Sequence, residues 1–123
     1  MNFRLVIAVI LLAAAVVCAG CSYFYLEREC GKLTRALETA LQAEDERLPA
    51  IAAEICRRWN KRAPLICVLI HHADADQLIG AFAGLERTTA VGTPSAVREA
   101  LAACVLCLEV LTEGEKLSFT NVL

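Results

Sequence analysis

Two patterns of apolar residues follow one another along the chain. The first is continuous: from Leu5 to Tyr25 the stretch LVIAVILLAAAVVCAGCSYFY carries no charge. At a helical rise of about 1.5 Å per residue it would be about 30 Å long, the thickness of a bilayer's hydrocarbon core. Only a helix satisfies its own backbone in lipid, so a transmembrane helix is expected over 5–25. Tyr23, Phe24 and Tyr25 close the run as an aromatic belt does at an interface.

The second pattern is periodic. Leu26, Leu33, Leu37 and Leu41 fall at spacings of seven, four and four, one face of a helix that leaves the membrane. Gly31 is the expected joint between this helix and the span, and the polar stretch Glu44-Asp45-Glu46 ends it. Pro49 suits the first turn of a second helix. Its stripe is Ile51, Ile55 and Trp59, with Arg57, Arg58, Lys61 and Arg62 largely on the other side. Pro64 is expected to break or kink it, because a mid-helix proline loses a hydrogen bond and clashes with the preceding turn. The apolar segment Leu65 to Ile70 is too short to cross a bilayer and reads as core.

Asp74, with Gln77 three residues on, has the pattern of a capping box for a third helix. Its buried face reads Leu78, Phe82 and Leu85, and Gly92 ends it. Thr93-Pro94 opens a fourth helix with the stripe Val97, Leu101, Cys104, Leu108 and Leu111. Gly114 is expected to stop it, leaving a tail, Glu115 to Leu123, that docks on the bundle through Phe119, Val122 and Leu123. No alternating run suggests a strand. The expected fold is therefore all-α: a single N-terminal transmembrane helix followed by a small antiparallel helical bundle of about four helices. Its parts are a cytoplasmic N-terminus (1–4), the span (5–25) and an extracytoplasmic helical domain (26–123).

Size and charge narrow the picture. With 123 residues there is room for one domain, and 58% hydrophobic residues exceed the roughly 45–50% of a soluble domain because of the N-terminal run. Net charge is −2, and no basic stripe is visible along any single helix, so nucleic-acid binding has no electrostatic footprint. Arg4 and the amine before the run place the N-terminus in the cytoplasm and the domain outside. Lys32 and Arg35 beyond the mixed flank Glu27-Arg28-Glu29 weaken that asymmetry. A cleaved secretory signal would need its cleavage site after a short apolar core, yet the run continues past Ala13-Ala14-Ala15 and Ala19. Cys-Ala-Gly-Cys ending at Cys21 resembles the lipobox of bacterial lipoproteins, with Cys18 where a Leu is usual. Anchorage through an acylated Cys21 is therefore the alternative to an uncleaved span.

Chemistry is sparse. Of seven cysteines, Cys18 and Cys21 lie in the span. Cys104-Val-Leu-Cys107 is a CxxC, but it falls in mid-helix within a leucine stripe, where buried apolar thiols are the plain alternative to a redox pair. No second CxxC completes a tetrahedral zinc site. His71, His72, Asp74 and Asp76 are the densest potential metal ligands; equally, Asp74 could cap a helix, Asp76 sit in its first turn and a His pack at the joint. No motif marks a hydrolytic triad. Trp59 reads as core on its stripe. No cofactor is implied, and no enzyme activity is expected.

An N-terminal membrane helix, Trp59, His72 thirteen residues later, acids at Asp74 and Asp76, and a closing Glu115-Lys116-Leu117-Ser118 with Asn121-Val122-Leu123 are found together. In this combination the chain resembles the domain of unknown function 4363 family, small membrane-anchored helical proteins of Firmicutes. The cysteines, Pro64 and the Ala-rich helical faces depart from that family's usual character. The resemblance implies structural roles for Trp59, His72 and Asn121, and no mechanism. The functional expectation is a non-catalytic interaction or structural module at the cell envelope. Its partners would be the membrane and another envelope protein or a second copy of itself, since Ala13-Ala14-Ala15 and Ala19-Gly20 permit close helix approach. The alternative is a metal- or redox-responsive sensor using the His71–Asp76 cluster or Cys104 and Cys107.

Overall fold

The computed structural model describes residues 2–122, with side chains through residue 114. Four helices account for almost all of them, and no strand occurs among the described residues: α1 (Phe3–Leu41), α2 (Leu48–Leu69), α3 (His72–Val91) and α4 (Pro94–Val122). α1 is 39 residues long and begins where the Asn2 side chain accepts the Arg4 N–H at 3.1 Å. It is long and apolar enough to cross a membrane.

The expected joint at Gly31 does not exist, because α1 runs through it without a break. A glycine inside a helix costs only about 1 kcal/mol relative to alanine. Its neighbours outweigh that cost: the Gly31 carbonyl accepts from Arg35 Nε at 3.3 Å, and Leu33 and Leu37 on the following turns are buried. Pro64 likewise fails to break α2, which continues to Leu69. Of the apolar segment Leu65 to Ile70 only Ile66 is fully buried, whereas Leu65 and Val68 are 50% and 79% exposed. That segment is the last part of a helix with two faces, and only one of them meets the core.

The start of α3 also differs from expectation. His71 occupies the N-cap position without a side-chain cap bond, and Asp74 lies inside the first turn. The Asp74–Gln77 capping box is therefore not formed. The carboxylate of Asp74 sits instead near the free N–H groups of the helix start, where negative charge is favoured. Gly92 does end α3, in extended backbone at φ −88° and ψ 162°. Its reason is close approach: a Cβ there would lie 2.4 Å from the Thr88 carbonyl oxygen. Thr93 then opens α4, its hydroxyl accepting the Ala96 N–H at 3.4 Å. Gly114 does not stop α4, which reaches Val122; no described glycine adopts the positive φ that would turn the chain out of a helix. The expected docking of Phe119, Val122 and Leu123 lies outside the described side chains.

One core joins the four helices. Leu26, Leu33 and Leu37 of α1, Ile55 and Trp59 of α2, Leu78, Phe82 and Leu85 of α3, and Val97, Leu101, Cys104, Leu108 and Leu111 of α4 are all buried in it. Each large aliphatic side chain so placed contributes roughly 1.5–3 kcal/mol relative to exposure. Trp59 lies nearly parallel to Phe82, ring centres 4.4 Å apart at 9°, and ties α2 to α3. α4 is tied to the α1–α2 turn by Arg98, which donates to Asp45 Oδ1 at 2.5 Å and to the Ala43 carbonyl at 2.7 Å.

Candidate functional site

The most distinctive surface forms where α2 turns back along α1. Leu48 N–H donates to the Glu44 carbonyl at 3.1 Å, closing the turn, and further along α2 Arg62 Nε comes to 3.7 Å from Glu29 Oε2. Lys32 Nζ approaches the other oxygen of Glu29 at 3.8 Å. Glu29 is only 8% exposed and is the one buried charged residue among those described. Two flanking cations offset the cost of taking that carboxylate out of water. Together these contacts hold α1 and α2 in register.

The periodicity of α2 determines which residues face outward. Leu48, Ala52, Ile55, Trp59 and Ile66 follow the helical repeat on the buried side. On the opposite side Glu54, Arg58, Lys61, Leu65 and Val68 follow at spacings of four, three, four and three, and all five are exposed. Where this face meets α1 there is a groove of about 660 Å³. Five cations border it, Lys32 from α1 and Arg57, Arg58, Lys61 and Arg62 from α2, against the carboxylates of Glu29 and Glu54. Glu54 is taken by Arg57 and Glu29 by Lys32 and Arg62. Arg58 and Lys61 have no acidic partner among the described residues. Four of these cations come from one stretch of α2, and α1 adds Lys32 and the carboxylate of Glu29 beside them.

The residues singled out from the sequence are dispersed. His71, His72 and Asp76 are exposed at the α2–α3 joint and Asp74 is half-buried. No group of three or more His, Cys, Asp or Glu side chains able to hold a metal assembles among the described residues. Cys104 is fully buried, and burial, with Cys107 and Cys56 nearby, pushes its thiol up to about 12. That is the opposite of the lowered pKa that makes a thiol reactive. Burial raises the Cys56 thiol as well, with Glu86 adding to the effect, and does the same for Cys67 beside Asp76. No disulfide forms among the described residues, and Cys18 and Cys21 stand exposed on the apolar part of α1. Trp59 is core, 4% exposed. Asn121 lies outside the described side chains.

Compared with family models, with curated proteins and with solved structures, the chain matches none.

Proposed function

We propose that this protein is a single-pass membrane protein whose helical domain is a non-catalytic interaction module at the cell envelope. The observation that carries the reading is the change of surroundings along α1. Leu5, Ile10, Leu11, Leu12 and Val17 are each more than half exposed, while Leu26, Leu33 and Leu37 of the same helix are buried. A cylinder of large apolar side chains with no protein against it is aggregation-prone in water and stable in lipid.

In this reading the domain after Tyr25 faces outward, with Arg4 on the cytoplasmic side. Lys32 and Arg35 are positive charges on the far flank, beyond Glu27 and Glu29. The short joints and the return of α2 and α4 along α1 support an antiparallel, up-and-down course of the four helices. The likeness to the domain of unknown function 4363 family fits the same layout and adds no activity.

Alkaline extraction of native membranes tests the anchorage, and a membrane-impermeant maleimide applied to intact cells tests the side. The expected results are retention in the pellet and labelling of the half-exposed Cys107 without permeabilisation. Release into the supernatant would contradict the span. Labelling that requires permeabilisation would place the domain inside. Crosslinking in the same membranes then reads out the partner.

A further inference from the structure

The exposed face of α2 changes character along its length. Glu54, Arg58 and Lys61 are charged; the next two residues of the same face, Leu65 and Val68, are apolar and exposed. The Glu29–Arg62 contact shows at what height that change falls. Since α2 returns along α1, three residues beyond Arg62 brings Leu65 level with Leu26, and three more bring Val68 level with Tyr23. α1 changes from apolar to charged at the same height, between Tyr25 and Glu27. Because α1 is unbroken from Phe3 to Leu41, the bundle cannot swing away from whatever surrounds the first half of that helix. As far as Val68, α1 and α2 thus pass from apolar to charged in one plane, and the α2–α3 joint beyond Val68 carries the exposed His71, His72 and Asp76.

From this we infer that the base of the bundle is itself a lipid-binding surface: Leu65 and Val68 lie in the interfacial layer, and Arg58 and Lys61, just above, take the phosphates of anionic phospholipid headgroups. The inference rests on the reading of Leu5–Tyr25 as a membrane span. The charge is complementary, since Arg58 and Lys61 are the groove cations with no acidic partner among the described residues. Lys61 stands about one helical turn, ~6 Å, above Leu65, within the roughly 8 Å over which a headgroup layer's field acts at physiological salt, and Arg58 stands about one turn higher, just beyond that distance. Cations above apolar side chains on one helical face form the arrangement that seats a helix in an interface.

The test uses the full chain reconstituted in vesicles whose lipids carry bromine near the headgroup end of the acyl chains, which quenches nearby tryptophan. Val68→Trp reports the base of the bundle, Phe24→Trp reports the span, and the native Trp59, buried against Phe82, is the background and the check on folding. Loss of the added emission is expected for both variants. For Val68→Trp the loss should be greater in vesicles containing phosphatidylglycerol than in pure phosphatidylcholine. The double substitution Arg58→Gln with Lys61→Gln should abolish that difference. Quenching of Phe24→Trp without quenching of Val68→Trp would overturn the inference and leave the span standing. Equal quenching of Val68→Trp in the two lipids would overturn the headgroup contact. Quenching of neither variant would overturn the span and this inference together.

Discussion

The two halves of α1 are the same secondary structure in opposite surroundings. Residues 3–25 present apolar side chains on every side, and Leu12 is 67% exposed; residues 26–41 present them on one face, and Leu37 is completely buried. In the proposed span the first half would be helical because nothing else satisfies a backbone in lipid, without help from the bundle. The second half is helical because one stripe of it is covered by the other helices, which is how most helices in water are stabilised. Secondary structure alone therefore says little about α1. The distribution of apolar residues around its circumference separates an anchor from a core element. One continuous rod shared between the two also couples them mechanically, so the bundle has a fixed height above Tyr25.

Substitutions that strike one half and spare the other would sharpen this contrast. The largest effect is expected from Trp59→Ala, which empties the centre of the core that covers the second half. A loss of about 3–5 kcal/mol in chemical denaturation is expected, with membrane retention unchanged. Leu11→Arg attacks the first half. A charge at mid-span costs about 2.5–3.5 kcal/mol on insertion scales, so recovery in the membrane fraction should fall while any protein recovered keeps the Trp59 emission of a folded bundle.

An alkaline titration acts on the bundle alone. The Cys104 thiol is raised from the ordinary 9.0 to about 12 by burial, so the unfolded chain releases that proton first. The contribution of Cys104 is full below pH 9 and is lost as pH rises toward 12, at up to about 1.4 kcal/mol per pH unit. Denaturation curves at a series of pH values should show that slope in the native chain and a shallower one in Cys104→Ala. The smallest effect concerns the junction itself. Gly31 has open space where a Cβ would stand and ordinary helical backbone. Gly31→Ala should therefore stabilise the bundle by roughly 0.5–1 kcal/mol; a destabilised bundle would mean that α1 bends at that residue.

Much of this fold was legible in the sequence wherever a pattern extended over several turns. The stripes through Leu33 and Leu37, through Leu78, Phe82 and Leu85, and from Val97 to Leu111 all became core, and Trp59 took its place among them. What misled were single residues read as punctuation. Gly31, Pro64 and Gly114 all lie inside helices, because the propensity of their neighbours, and at Gly31 the packing of the next turns, outweigh one weak residue. Gly92 did end its helix, and there the backbone lies too close to the Thr88 carbonyl, four residues back, to admit a Cβ. Asp74 had the right chemistry for a cap and sits two residues inside the helix it was expected to open.

The basic groove was half legible: Arg57, Arg58, Lys61 and Arg62 stand together in the sequence of α2, but nothing along that helix shows that Lys32 and Glu29 of α1 come beside them. The register that joins them depends on Glu29, a carboxylate in a mixed-charge flank that nothing in the sequence marks as buried. Charge balance counted over the whole chain averages such a surface away.

The most direct test of the anchor is the intact mass of the protein isolated from its native membrane. A span retained as part of an unbroken α1 requires a mass corresponding to all 123 residues without lipid. A shorter chain beginning at Cys21 and bearing acyl groups would contradict it, since the first half of α1 would then be absent from the mature protein and the bundle would hang from a lipid tether.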